Sequence, residues 1–136
     1  MTRTVCPPGL GPGAVIGLFT SSYPLAVEAP EAAELARANL EAMGYRVKPG
    51  ALMGRRDFYR SGSIQERARE FNALLADDSV DCLMATVGGM VSNAILPYID
   101  YERIRRRPKI VIGHSDVTAL LLGIYAVTGV VTYYGP

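Results

Sequence analysis

The stretch KIVIGHSDVTALLLGIY, from Lys109 to Tyr125, decides how this 136-residue chain is read. KIVIG is a continuous apolar run, the pattern of a strand buried on both faces. From Asp116 the apolar spacing becomes that of a helix, DVTALLLGIYAVTG, closed by Gly129. Only Gly113-His114-Ser115-Asp116 separates the two. A buried strand that turns at once into a helix is half of a βαβ unit, whose next strand runs parallel to the first.

The same alternation continues outward. Ala14 to Thr20 (AVIGLFT) reads as another continuous strand, followed by the loop TSSYP. Pro30 stands where a first helical turn tolerates proline, and EAAELARANLEAM is rich in strong helix formers. Ala33, Leu35, Ala36, Leu40 and Met43 fall on or near one face of that helix, with Gly44 placed to end it. Tyr45 to Lys48 is a short strand. Ser63 with Glu66 has the form of a capping box, opening a helix whose Ala68, Phe71, Leu74 and Leu75 make an apolar stripe. Val80 to Val87 is a buried strand ending in Gly88-Gly89. VSNAILPYI is a short helix interrupted near Pro97, and VVTYY a last strand. The pattern predicts an α/β fold, a mainly parallel sheet with helices on both faces. Residues 1–13 are a Pro/Gly-rich lead-in and residues 14–136 the domain. YYGP follows a strand with no closing helix, so the chain is expected to be the front part of a longer protein.

Composition narrows the function classes. Apolar residues make up 49% and charged ones 20%, ordinary values for a globular protein in water. With 14 basic and 13 acidic side chains the formal net charge is +1, which gives no global pull towards nucleic acid or an anionic membrane. The basic run RIRRRPK, Arg103 to Lys109, reads as a solvated helix end or loop. Cys6 and Cys82 have no metal-ligand spacing and are too few for a disulfide scaffold; Cys82 reads as a small buried hydrophobe. No uncharged apolar run reaches the roughly 18 residues that cross a bilayer, and the N-terminus lacks a signal-peptide core. A reduced, cytoplasmic protein is the expectation.

Parallel sheets of this kind place their sites at the carboxyl ends of the strands. Three loops lie there. GGMVSN, Gly88 to Asn93, can turn backbone N–H groups into a concavity for negative oxygen, or can be a tight turn capped by Ser92 or Asn93. It has neither the G-x-G-x-x-G spacing nor a phosphate-loop pattern. In GHSD, Ser115 is either a helix cap or a nucleophile on a sharp turn. Gly113 suits such a turn, whereas Val117 replaces the second glycine of a G-x-S-x-G elbow. If Ser115 is the nucleophile, the Asp116 N–H can serve an oxyanion and the Gly88-Gly89 turn can give a second donor. His114, the one histidine of the chain, is excluded as its base, because side chains of adjacent residues diverge on a strand end. It is placed as a pocket wall. Ser21 and Ser22 of TSSYP either bind a substrate or form a turn before Pro24.

Three blocks taken together carry a resemblance: SGSIQERAREFNALLAD, then ATVGGMVSNAILPYIDY, then PKIVIGHSDVTALLLGIYAVTG with TYYGP. They resemble the N-terminal domain of the LD-carboxypeptidase family of serine peptidases, over about Ala14 to Pro136, and more closely its microcin C immunity peptidase branch. The resemblance implies a Ser-Glu-His triad with Ser115 as nucleophile and an oxyanion hole from backbone N–H groups of Gly88 or Gly89 and Asp116. The Glu and His would lie in a C-terminal domain beyond Pro136, so the chain alone would be inactive. It also implies a homodimer, no metal and no cofactor. The reaction it implies is cleavage of an amide near a free carboxylate in a muropeptide or a microcin C-like peptidyl-nucleotide. Ser92, Asn93 and His114 are candidates for holding that substrate. Two positions depart from the family pattern: His114 stands where Tyr is usual, and Val91 where the microcin-type loop carries Asn. The alternative to an enzyme is a non-catalytic α/β module kept for binding or dimerisation.

Overall fold

The computed structural model describes residues 3–135. Met1 and Thr2 of the lead-in and Pro136 of the expected domain lie outside them. Five strands form one parallel sheet: β1 Val15–Phe19, β2 Arg46–Pro49, β3 Cys82–Ala85, β4 Ile110–Gly113 and β5 Tyr133–Tyr134. Their spatial order is β2-β1-β3-β4-β5. Ile16 sits opposite Val47 on one side and Cys82 on the other, Cys82 opposite Ile110, and Ile112 opposite Tyr133.

Alternation along each strand divides the apolar residues between two faces. Phe19, Leu83, Ala85 and Val111 join Phe71, Leu74 and Leu75 of helix α3 (Ile64–Ala76) and Leu120 and Ile124 of helix α5 (Thr118–Thr128) in the main core. The Phe19 and Phe71 rings meet edge to face, 5.1 Å between centroids. Ile16, Leu18 and Cys82 look the other way, against Leu40 of helix α2 (Pro30–Ala42) and half-buried Met84, Ile110 and Ile112. Helices therefore lie on both faces, unevenly. The first connection leaves β1 in one direction and the later ones lead in the other, so right-handed crossovers put α2 on one side and α3 and α5 on the other. Between β1 and β3 the direction reverses, and sheets of this class place their sites outside the carboxyl ends of the strands at such a point.

The capping box forms as expected. Ser63 Oγ accepts the Glu66 N–H at 3.3 Å, and Glu66 Oε2 accepts the Ser63 N–H at 2.9 Å. All four residues of the α3 stripe are buried. The α2 stripe is narrower than its spacing predicts: Leu35 is 62% and Met43 69% exposed, and only Ala33 and Leu40 of the five are half-buried. The reason is that α2 packs over β1 and the edge strand β2, too little sheet to cover a wide face.

Other boundaries differ for local reasons. VVTYY pairs with β4 only through Tyr133 and Tyr134, while Val130 forms a parallel bridge with Val5. The four-residue helix α1 (Leu25–Glu28) and helix α4 (Tyr101–Arg106) are additions to the expected set. Helix α4 is capped by the Asp100 carboxylate, which accepts the Arg103 N–H at 2.9 Å. Its basic run is balanced by neighbours: Arg103 pairs with Asp100, Arg105 with Glu102 and Arg107 with Asp78. VSNAILPYI forms a 3-10 helix, Ser92–Tyr98, with Pro97 inside it. Among the described residues no helix is long and apolar enough to cross a membrane.

Candidate active site

At the end of β4 the backbone changes conformation abruptly. His114 is extended, φ −143° and ψ 175°, and Ser115 is left-handed at φ +55°. A side chain in that region costs on the order of 1–2 kcal/mol, so the turn stores strain at this serine. A 3-10 turn, Ser115–Val117, then leads into α5. Gly113 is required just before it, because a Cβ there would lie 3.0 Å from that of Val117 and 3.1 Å from that of Ala85. Ser115 is exposed, and neither the short turn nor α5 receives a side-chain capping bond. The capping role open to Ser115 in the sequence is thus not taken up.

The Gly88-Gly89 loop at the end of β3 packs on this turn. A Cβ on Gly88 would stand 3.0 Å from both Asp116 N and Ser115 Cβ, blocking the space before the Asp116 N–H. Gly89 has φ +148°, and a Cβ there would collide with Ser22 Oγ. The three N–H groups that follow are tied down. Those of Met90 and Val91 donate to Ser22 Oγ at 3.0 and 3.2 Å, and that of Ser92 donates to Asp116 Oδ2 at 2.9 Å. The N–H groups of Gly88 and Gly89 donate to no group among the described residues.

The loop after β1 supports both. Thr20, Ser21 and Ser22 are buried. Ser21 Oγ shares a hydrogen bond with Ser92 Oγ at 2.8 Å, and the Tyr23 N–H donates to the Gly88 carbonyl at 3.2 Å. Two charged residues of α3 reach into this region from below. Glu70 accepts from the Thr20 N–H (2.7 Å), the Thr20 hydroxyl (2.9 Å) and the Leu52 N–H (2.8 Å). Burial pushes its carboxyl above the ordinary range, outweighing those three bonds, which act the other way. Arg67 donates through Nε to the Gly62 carbonyl at 3.0 Å and through Nη1 to the carbonyls of Ser21 and Val91, the latter at 2.9 Å. The signal for both was available: Arg67 and Glu70 fall on the apolar stripe of α3, where charged residues have no place unless partnered.

Ser115, Asp116, Gly88 and Gly89 are therefore brought together. His114 is half-buried beside them, and Asn93 is exposed at the start of the 3-10 helix. Ser92 meets a physical obstacle as a substrate contact: it is fully buried and its hydroxyl is engaged by Ser21. Ser21 and Ser22 act as the framework of a turn. Among the described residues no three His, Cys, Asp or Glu side chains gather as metal ligands would.

A parallel α/β sheet that presents a serine on a strained strand-to-helix turn, with a glycine loop against it, has the layout of the α/β serine hydrolases. Comparison with known proteins makes the family definite. The chain belongs to the LD-carboxypeptidase family, its residues 16–135 matching the LD-carboxypeptidase N-terminal domain. It is 56% identical over 91% of its length to a Vibrio cholerae protein that bears a carboxypeptidase name. It is 49% identical over 93% of its length to the microcin C7 self-immunity protein MccF of Escherichia coli. In each case the chain spans 37% of the relative's length. The wild-type apo structure of MccF superposes with a TM-score of 0.93 at 46% identity, covering 100% of this chain and 39% of that one. MccF has also been solved in complex with glutamyl sulfamoyl guanosine.

Proposed function

We propose that this chain is the nucleophile-bearing part of a serine carboxypeptidase or amidohydrolase. The observation that carries the reading is Ser115: exposed, left-handed, and packed against a loop whose Gly88 and Gly89 N–H groups donate to no group among the described residues. Ser115 Oγ attacks an amide carbonyl carbon while its proton passes to a base. The N–H groups of Asp116 and of Gly88 or Gly89 receive the resulting oxyanion. The C–N bond then breaks, the amine leaves with a proton, and water hydrolyses the Ser115 ester to release a carboxylate. The base and its carboxylate partner are a His and a Glu supplied by the further length that the relatives possess.

The likeness to MccF, solved with glutamyl sulfamoyl guanosine and aspartyl sulfamoyl adenosine, supports a peptidyl-nucleotide-like substrate, and the family resemblance adds an amide near a free carboxylate, as in muropeptides. Asn93 and His114 border the place where it would lie. We further assign the protein to the cytoplasm, supported by its two free cysteines, and to a homodimer, as the family resemblance implies. In the full-length protein, Ser115→Ala should abolish release of amine from aminoacyl sulfamoyl adenosines and LD-peptides while leaving the thermal melting point within a few degrees. Turnover retained by that variant refutes Ser115 as the nucleophile, whereas a full-length parent with no turnover leaves a binding module.

A further inference from the structure

We infer that Arg67 is a positioning residue for the oxyanion-binding loop, an inference that rests on the reading of Ser115 as nucleophile. Arg67 is 1% exposed, yet among the described residues it forms no ion pair. A buried guanidinium without a carboxylate is a poor stabilising device, since desolvation is not offset by an opposite charge. Its Nη2 is buried with no protein partner, a further cost. What the side chain does accomplish is geometric. Its fork holds carbonyls from three segments: Gly62 before α3, Ser21 after β1 and Val91 after β3.

The Val91 bond is the informative one. Arg67 grips the carbonyl of the Val91–Ser92 peptide unit, and the N–H of that same unit donates to Asp116 Oδ2. One peptide plane is thus fixed at both edges, between the helix beneath and the residue that follows the nucleophile. Asp116 has two roles in this arrangement. Its carboxylate secures the loop, and its N–H faces the space that Gly88 leaves open. Ser22 completes the set, its hydroxyl holding the Met90 and Val91 N–H groups while Arg67 holds the carbonyl of the preceding Ser21. With the N–H groups of residues 90 to 92 all turned inward, those of Gly88 and Gly89 are left for an oxyanion. Lysine at position 67 keeps the charge but cannot bond two diverging carbonyls from one planar group.

The test uses Arg67→Lys and Ser22→Ala in the full-length protein, with an aminoacyl sulfamoyl adenosine as substrate. Two probes accompany it: the matching peptide aldehyde, which forms a tetrahedral adduct with Ser115, and the carboxylate product. Each variant should lose about 10- to 100-fold in kcat with KM within about twofold, the scale of a displaced oxyanion donor. Aldehyde affinity should fall in parallel with kcat, and product affinity should not move. The inference is overturned if kcat stays within about threefold of the parent, or if aldehyde and product binding weaken equally, as general loosening would produce. Should Arg67→Lys fail to fold, Ser22→Ala alone decides by the same criteria. Turnover by Ser115→Ala would refute the nucleophile itself. A dead Ser115→Ala beside an unaffected Arg67→Lys refutes only the positioning role.

Discussion

In the proposed function Ser115 combines two demands that conflict. A left-handed backbone suits glycine, whereas a nucleophile needs a hydroxyl. Relief of the left-handed strain by glycine is worth about 1–2 kcal/mol, against about 0.5–1 kcal/mol for the extra chain entropy glycine loses on folding. Ser115→Gly should therefore raise the unfolding free energy by roughly 0.5–1 kcal/mol, seen as a higher urea midpoint, while removing all hydrolysis. A lower midpoint would mean that the turn is not strained. At this scale the nearness of Ser115 and Asp116 to Gly88 and Gly89 was legible as one of two readings, because glycines and a serine at strand ends also serve as a turn and a cap. Ser22 was not, since a serine in a turn announces no partner, and Arg67 was legible only as a charge on an apolar stripe, not by the carbonyls it holds. Their roles exist only once Met90, Val91 and Ser21 have been folded onto them.

Helices α2 and α3 show what periodicity can and cannot decide. Both have apolar stripes, yet α3 lies over the middle of the sheet and α2 over its edge, and only topology tells them apart. The ends of α3 were more legible because its capping chemistry is local. Hydrogen bonds from the Ser63 backbone and hydroxyl, aided by Arg55, hold the Glu66 carboxyl down to about 2. A carboxylate lowered by folding stabilises above its unfolded value and ceases to do so as pH falls towards its folded one. The Glu66 contribution should thus be complete above about pH 4.5 and fade as pH approaches about 2. Accordingly, Glu66→Gln should lower the urea midpoint at pH 7, and the gap to the parent should narrow between pH 4.5 and 2.5. A gap that stays constant across that range would show that the capping box does not govern this limb of the acid transition.

On the scale of the molecule, alternating strands and helices predicted a parallel sheet, and one formed; its order could not be read, because order depends on which strand pairs beyond its neighbour. Cys82 reports on that central pairing. Burial, with the nearby Asp81 charge adding to it, pushes its thiol up to about 12. At pH 8 iodoacetamide should modify exposed Cys6 and spare Cys82 in the native chain, with both alkylated in denaturant. Rapid native labelling of Cys82, followed by mass spectrometry, would contradict a closed β1–β3–β4 centre. The bridge between Val5 and Val130 has a consequence of another kind. The Val5 N–H donates to the Gly129 carbonyl at 2.9 Å, and the Val131 N–H donates to the Val5 carbonyl at 2.8 Å. During synthesis Val5 leaves the ribosome first, yet its partner follows roughly 125 residues later, about 6–25 s at ordinary elongation rates. The beginning of the chain must wait, tethered but unlatched, until almost everything that separates it from residue 130 has been made.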